Sequence, residues 1–228
     1  MTMPKAILFD LDDTLLDRAR TFERYFDKFA ARYAEQLGPC EKQALQTAIL
    51  DADGRGYRTR DQMAQLLLKT LPWRSKPDVR EIVDNYRIDF LDCAYLSDGI
   101  HALLDDLHAR GIKTGVITNG ESIVQRRKLE GLGLAGRMDV IAVSEEVGFK
   151  KPHPAIFSWT LDKLGVAAAE TWFIGDHPDN DIIAAEAVGM TAFWLARMTP
   201  WPAEQPPCTR KIDGLDEIRS LLRDVQRQ

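Results

Sequence analysis

Ala6-Ile7-Leu8-Phe9-Asp10-Leu11-Asp12-Asp13-Thr14 is the stretch from which the fold is read. Its first four residues form a continuous apolar run, and the next five carry three carboxylates. Continuous apolarity, rather than alternation, is what a strand covered on both faces requires. The same form recurs at Thr114-Gly115-Val116-Ile117, Val140-Ile141-Ala142-Val143, Trp172-Phe173-Ile174 and Ala192-Phe193-Trp194-Leu195. Between these runs lie helical patterns over 100–109, with Leu103, Leu104 and Leu107, and over 122–129, 155–164 and 182–188. Strand and helix in alternation predict an α/β fold, a doubly wound, Rossmann-like parallel sheet wrapped by helices. A Pro-rich surface excursion at 199–207 precedes a last short strand and helix over 212–222.

From residue 18 to 96 the pattern changes, and no buried-strand run occurs. Phe22, Tyr25, Phe26, Phe29 and Tyr33 recur at the spacing of a helix core, and further helical patterns cover 41–52, 60–70 and 79–93. Gly54-Arg55-Gly56, Pro72 and Pro77 break the segment into about four helices. The expected organisation is a Rossmann-like core domain from 1–17 and 97–228, with an all-helical domain inserted at 18–96. A length of 228 residues suits one core plus a sizeable insertion.

Composition narrows the function classes. Hydrophobic residues make up 45% and charged residues 29%, as in globular domains that bury a full core. Lys and Arg number 30 against 35 Asp and Glu, a net charge of −5 without the basic excess used against nucleic-acid phosphates. No apolar run approaches the ~18 residues that span a bilayer. Met1-Thr2-Met3-Pro4-Lys5 leads straight into the first strand, without the apolar region of a signal peptide, so a cytoplasmic location is expected. Cys40, Cys93 and Cys208 are odd in number and far apart, which indicates neither a disulfide framework nor a zinc site. A monomer or homodimer is expected, with neither nucleic acid nor membrane as partner.

Ligands of open parallel sheets bind beyond the carboxyl ends of the strands, so the residues after each apolar run matter most. They are Asp10 to Thr14, Thr118-Asn119-Gly120, and Gly175-Asp176-His177-Pro178-Asp179-Asn180-Asp181, with Gly148 to Pro154 ahead of a helix. Convergence of these loops would gather several carboxylates, Lys150 or Lys151, and a Thr/Asn pair. Like charges that close raise one another's pKa unless a cation sits among them. A hard divalent ion is implied, and Mg²⁺ suits a few carboxylates plus a substrate phosphate. One carboxylate then serves as nucleophile, metal and lysine neutralise phosphate charge, and a second carboxylate moves the proton. Helix capping offers a structural account of Asp181, where a helix is expected to begin, but one cap does not need both Asp10 and Asp12.

The set Asp10-x-Asp12-x-Thr14, Thr118-Asn119, Lys151-Pro152 and Gly175-Asp176-x-x-x-x-Asp181 resembles the haloacid dehalogenase superfamily, phosphatase branch. The four motifs occur in order, and the resemblance covers the whole chain, because this family inserts a helical cap after the first strand. It implies a Mg²⁺-dependent phosphatase acting on a small phosphorylated metabolite through an aspartyl-phosphate. By the same resemblance Asp10 is the nucleophile and Asp12 the general acid, then general base. Thr118 bonds the transferring phosphoryl group, with Asn119 shaping the same loop and phosphate site. Lys151, directly before Pro152, offsets charge on Asp10 and the phosphate. The metal is held by Asp10, the main-chain carbonyl of Asp12, and Asp176, with Asp181 in support.

Dehalogenases of the family lack an acid two residues after the nucleophile, so Asp12 points away from them. A phosphomutase, or a binding or regulatory protein that has lost activity, are the alternatives. Thr14 is expected to shape its loop, and Asp13 and Asp179 to serve as loop charges. His153 and His177 have no assigned role. The helical domain is expected to set specificity, with residues 17–20 at its entry and 53–58 at a break between helices as candidates, Arg55 and Arg58 for an anionic substrate group or as solvated loop charges.

Overall fold

The computed structural model describes residues 2–197 and 199–227. In chain order the elements begin with β1 (Ala6–Phe9), α1 (Arg18–Arg32), α2 (Lys42–Asp53), α3 (Arg60–Thr70), α4 (Val79–Asp92), α5 (Ile100–Ala109) and β2 (Lys113–Thr118). They continue with α6 (Ser122–Gly131), β3 (Val140–Val143), the short α7 (Ser144–Val147), α8 (Pro154–Leu164), β4 (Thr171–Gly175), α9 (Ala184–Ala187), β5 (Thr191–Leu195), β6 (Lys211–Ile212) and α10 (Asp216–Gln226). The chain divides into two compact units, Met1–Arg18 with Tyr95–Gln228, and Ala19–Ala94. These limits lie one and two residues inside the 18–96 expected for the insertion.

The first unit holds a six-stranded sheet in the order β3-β2-β1-β4-β5-β6. Every neighbouring pair is parallel. This is the doubly wound α/β architecture that the buried apolar runs predict. All four residues of β1 are fully buried, as a central strand covered on both faces must be. On one face Leu8, Ile117, Ala142 and Phe173 pack with Ile156, Phe157 and Leu161 of α8. The chain runs outward from β1 through β2 to β3, then returns to β4 on the other side of β1. Strand order therefore reverses beside β1, the position where open α/β sheets bind ligands. The register brings Phe9 opposite Val116 and Ile174, so the loops after β1, β2 and β4 leave the sheet at one edge.

One helix starts earlier than expected. Instead of beginning near Ile182, the chain enters a π-helical turn at Pro178–Ile183 that runs into α9. His177 caps this turn and Pro178 opens it, where its missing N–H costs nothing. Asp181 consequently lies inside the turn rather than at a helix start.

The second unit contains α2, α3, α4 and all but the first residue of α1. Its aromatic stripe is core: Phe22, Tyr25, Phe29 and Tyr33 are each at most 3% exposed. Phe22 meets Phe90 edge-on at 5.1 Å, and Tyr25 meets Tyr86 at 5.2 Å. The capping box of Thr59 and Gln62 opens α3, and Asp78 caps α4. Arg58 donates to the carbonyls of Asp51 and Ala52 at the end of α2, which gives this guanidinium a helix-capping place in the fold. Arg55 is exposed with φ of 57°.

Candidate active site

Asp10 is fixed at the end of β1 by its own backbone, whose N–H donates to Ile174 O at 2.9 Å. Lys151 Nζ donates to Asp10 Oδ1 and to Asp181 Oδ1, each at 2.6 Å, from a side chain only 2% exposed. Asn119 positions that lysine through its main chain: Lys151 N donates to Asn119 Oδ1 at 2.8 Å, and Asn119 Nδ2 donates to Lys151 O at 2.9 Å. The Lys151–Pro152 peptide is cis. Lys150 is exposed and turns to solvent.

Asp176 follows β4, and its carbonyl accepts from Trp194 Nε1 at 2.9 Å. Asp181 reaches back from the π-helical turn, and its Oδ2 accepts from His177 N at 3.0 Å. Gly175 makes this possible, because a Cβ there would collide with the Asp181 carboxylate. The result is a buried trio, Asp10, Asp176 and Asp181, with one carboxylate oxygen from each lying within 4.8 Å of the others.

Two of the three carboxylates share one ammonium. Burial pushes Asp10 up to about 7, with Asp181 and Asp12 adding repulsion that Lys151 only partly offsets. Burial likewise lifts Asp176 to about 9, reinforced by Asp10, Asp181 and Asp13. Burial alone would lower Lys151, but Asp10 and Asp181 hold its ammonium well above the usual lysine range. The trio is short of positive charge and offers only hard oxygen ligands, which fits a divalent cation such as Mg²⁺.

Asp12 stands apart from the trio by its side chain. Lys128 Nζ donates to both its oxygens, at 2.7 and 2.8 Å, and Gln125 Nε2 donates to Oδ2 at 3.0 Å. Burial opposes ionisation here, but Lys128, Arg18 and Gln125 outweigh it and hold Asp12 down at about 2. Gln125 Nε2 also lies 2.5 Å from Thr118 Oγ1, which ties the residue after β2 to the loop after β1. Gln125 and Lys128 went unnoticed in the sequence, and Arg18, expected within 17–20 to bear on specificity, instead acts on the Asp12 carboxylate. The available signal was two polar residues three apart on a helix face shared with the buried Leu129.

The remaining polar residues have structural partners or stand outside. His153 Nδ1 accepts from Ala155 N, and His177 Nδ1 from Asp179 N and Asn180 N, so both cap helical turns. Asp179 is exposed. Thr14 is fully buried, and its carbonyl accepts from Ser97 Oγ at 2.9 Å. Asp13 adopts φ of 62°, and burial raises it to about 6.

Residues 7–195 match the family model of the haloacid dehalogenase-like hydrolases. The chain belongs to this family. It is a haloacid dehalogenase-like hydrolase whose curated relatives include enzymes named as phosphatases. It is 37% identical to a phosphoserine phosphatase of Thermus thermophilus, over 51% of this chain and 47% of that protein. It is 31% identical to a glyceraldehyde 3-phosphate phosphatase of Methanothermobacter thermautotrophicus, over 96% of this chain and all of that protein. In fold this hydrolase is similar to a magnesium-bound hydrolase of the superfamily from Bacillus subtilis, with a TM-score of 0.76 at 24% identity, covering 97% of this chain and 100% of that one. No helix among its described residues is long and apolar enough to cross a membrane.

Proposed function

We propose that this hydrolase is a Mg²⁺-dependent phosphatase that cleaves a small phosphorylated metabolite through an aspartyl-phosphate on Asp10. The observation that carries the reading is the buried trio of Asp10, Asp176 and Asp181 with the single ammonium of Lys151. The relatives named as phosphatases support the same class of reaction. Asp10, the Asp12 carbonyl and Asp176 are assigned to hold Mg²⁺, with Asp181 in support, and the ion would supply positive charge against the phosphoryl oxygens.

In the first half-reaction a carboxylate oxygen of Asp10 attacks phosphorus, the bond to the ester oxygen breaks, and Asp12 gives that oxygen its proton. Lys151, already on Oδ1, orients the nucleophile and offsets the charge of the incoming phosphate. Thr118 donates its hydroxyl to the transferring group. In the second half Asp12 takes a proton from water, which attacks phosphorus and breaks the bond to Asp10, releasing inorganic phosphate. The ion pair with Lys128 keeps Asp12 in the base form that this half needs. A bound phosphate dianion raises the neighbouring carboxyl and so favours the acid form in the first half. Choice of substrate is assigned to the inserted helical unit.

Release of inorganic phosphate from p-nitrophenyl phosphate, with EDTA and then with added Mg²⁺, tests the reading, followed by a panel of phosphorylated metabolites. Activity that vanishes and returns supports it. No turnover under any condition would identify a binding or regulatory protein, and isomerisation without net phosphate release a mutase.

A further inference from the structure

We infer that Gln125 and Lys128 of α6 are positioning residues that set the donor geometry of the phosphoryl-transfer site through Asp12 and Thr118. This rests on the assignment of Asp12 to proton transfer. A lysine side chain only 6% exposed is expensive to bury, and an apolar residue at the same place would cost less unless the ammonium has a task. Here it makes two bonds, of 2.7 and 2.8 Å, to the one carboxylate that handles the proton. Both contacts come from one nitrogen, which holds the carboxylate facing it with both oxygens engaged.

Gln125, one turn earlier on the same helix face and 2% exposed, sets the two N–H donors of its amide among three acceptors, with Thr118 Oγ1 the nearest. Its Nε2 lies 3.0 Å from Asp12 Oδ2 and 3.3 Å from Asn119 O. Both are acceptors, so the amide must present its NH₂ side to them. The same nitrogen is 2.5 Å from Thr118 Oγ1, which therefore accepts from Gln125. A hydroxyl that accepts in this way retains its own proton for another partner. Gln125 thereby makes Thr118 a donor to the phosphoryl group, and it ties that donor to Asp12 through one planar amide. The sequence motifs contain neither residue, yet both orient motif residues from behind.

The test measures kcat and KM for p-nitrophenyl phosphate and phenyl phosphate, the second having the poorer leaving group. Lys128→Met and Gln125→Leu should each lower kcat for phenyl phosphate about 10–100-fold, as misplacement of a reacting group does, with little change in KM. Lys128→Met should cost less with p-nitrophenyl phosphate. The deciding measurement is a double-mutant cycle: in an Asp12→Asn background, Lys128→Met should bring no further loss for phenyl phosphate. Losses that multiply, or a rise in KM at unchanged kcat, would overturn the inference while leaving Asp12 in place. Full turnover of phenyl phosphate by Asp12→Asn itself would remove Asp12 from the proton step and the inference with it. Thermal melts check folding, and if Lys128→Met does not fold, Lys128→Arg and Gln125→Leu carry the same cycle.

Discussion

The two units treat buried carboxylates in opposite ways. In the helical unit each has cations close by: Asp89, 1% exposed, takes bonds from Arg32 Nε and Nη2 with Lys28 at 3.5 Å, and Asp53 takes bonds from Arg60 and the Gly56 N–H. In the sheet unit three carboxylates each place an oxygen within 4.8 Å of the others, and one lysine bonds to two of them. A matched buried pair holds helices in register and asks for nothing more. An unmatched cluster costs stability, and a fold keeps it where a charged ligand supplies what is missing. The contrast marks the trio without reference to any motif, whereas Asp12, matched by Lys128, is not marked by it.

The largest effect expected from breaking the contrast is at Asp10. Asp10→Asn should lower turnover by about 10⁴-fold or more, since it deletes the proposed nucleophile, while relieving repulsion in the trio and leaving the melting temperature equal or higher. Near-native activity in this variant would end the covalent mechanism. Asp12→Ala should follow, at about 10²–10⁴-fold for esters with poor leaving groups and much less for p-nitrophenyl phosphate. Equal losses for both would take the acid role from Asp12.

Next comes the division of labour among the carboxylates proposed to hold the metal. Asp181 already accepts from Lys151 and from His177 N, which suits support rather than direct coordination. Asp176→Ala should therefore weaken apparent Mg²⁺ affinity more than Asp181→Ala, for which about 10–100-fold is expected. Activity measured against Mg²⁺ concentration decides between them, and the reverse order would exchange the two roles.

The same contrast explains what sequence could and could not disclose. The strands were legible because Ala6 to Phe9 and its counterparts are apolar on both faces, a pattern that tolerates few alternatives. Asp10 and Asp176 were legible because strand ends in an open sheet converge by topology alone, whereas Asp181, six residues beyond β4, was expected there only from the resemblance. Lys128 and Gln125 were not legible, since their role depends on which face of α6 meets the loop after β1, a tertiary fact. The start of the turn at Pro178 was missed for a local reason: the apolar spacing begins at Ile182, but His177 and Pro178 are the residues that open the turn.

The smallest effect, and the most direct reading of the unmatched charge, is the pH dependence of stability in EDTA. Asp10 and Asp176 stand at about 7 and about 9 in the folded chain against 3.8 for an ordinary Asp. A raised carboxyl binds more protons folded than unfolded between its two pKa values, so its contribution is full below about pH 4 and is lost as pH rises towards 7 and 9. Asp12 and Glu146, both held at about 2 by neighbouring cations, work in the opposite sense, and their contribution disappears only as pH falls from about 4 to 2. The windows do not overlap, so between pH 5 and 8 the raised pair should dominate these four groups. Melting temperature in EDTA should fall across that range. On the proposed reading, saturating Mg²⁺ should stabilise the ionised trio and flatten the slope, most strongly at the alkaline end, because an ion that binds only the folded chain adds more stability the more tightly it is held. Asp10→Asn should reduce the slope in EDTA without abolishing it, since Asp176 and Asp13, the latter at about 6, still titrate in the same sense. A melting temperature that rises from pH 5 to 8 in EDTA, or a slope indifferent to Mg²⁺, would mean that the trio is as well matched as Asp89 and Arg32.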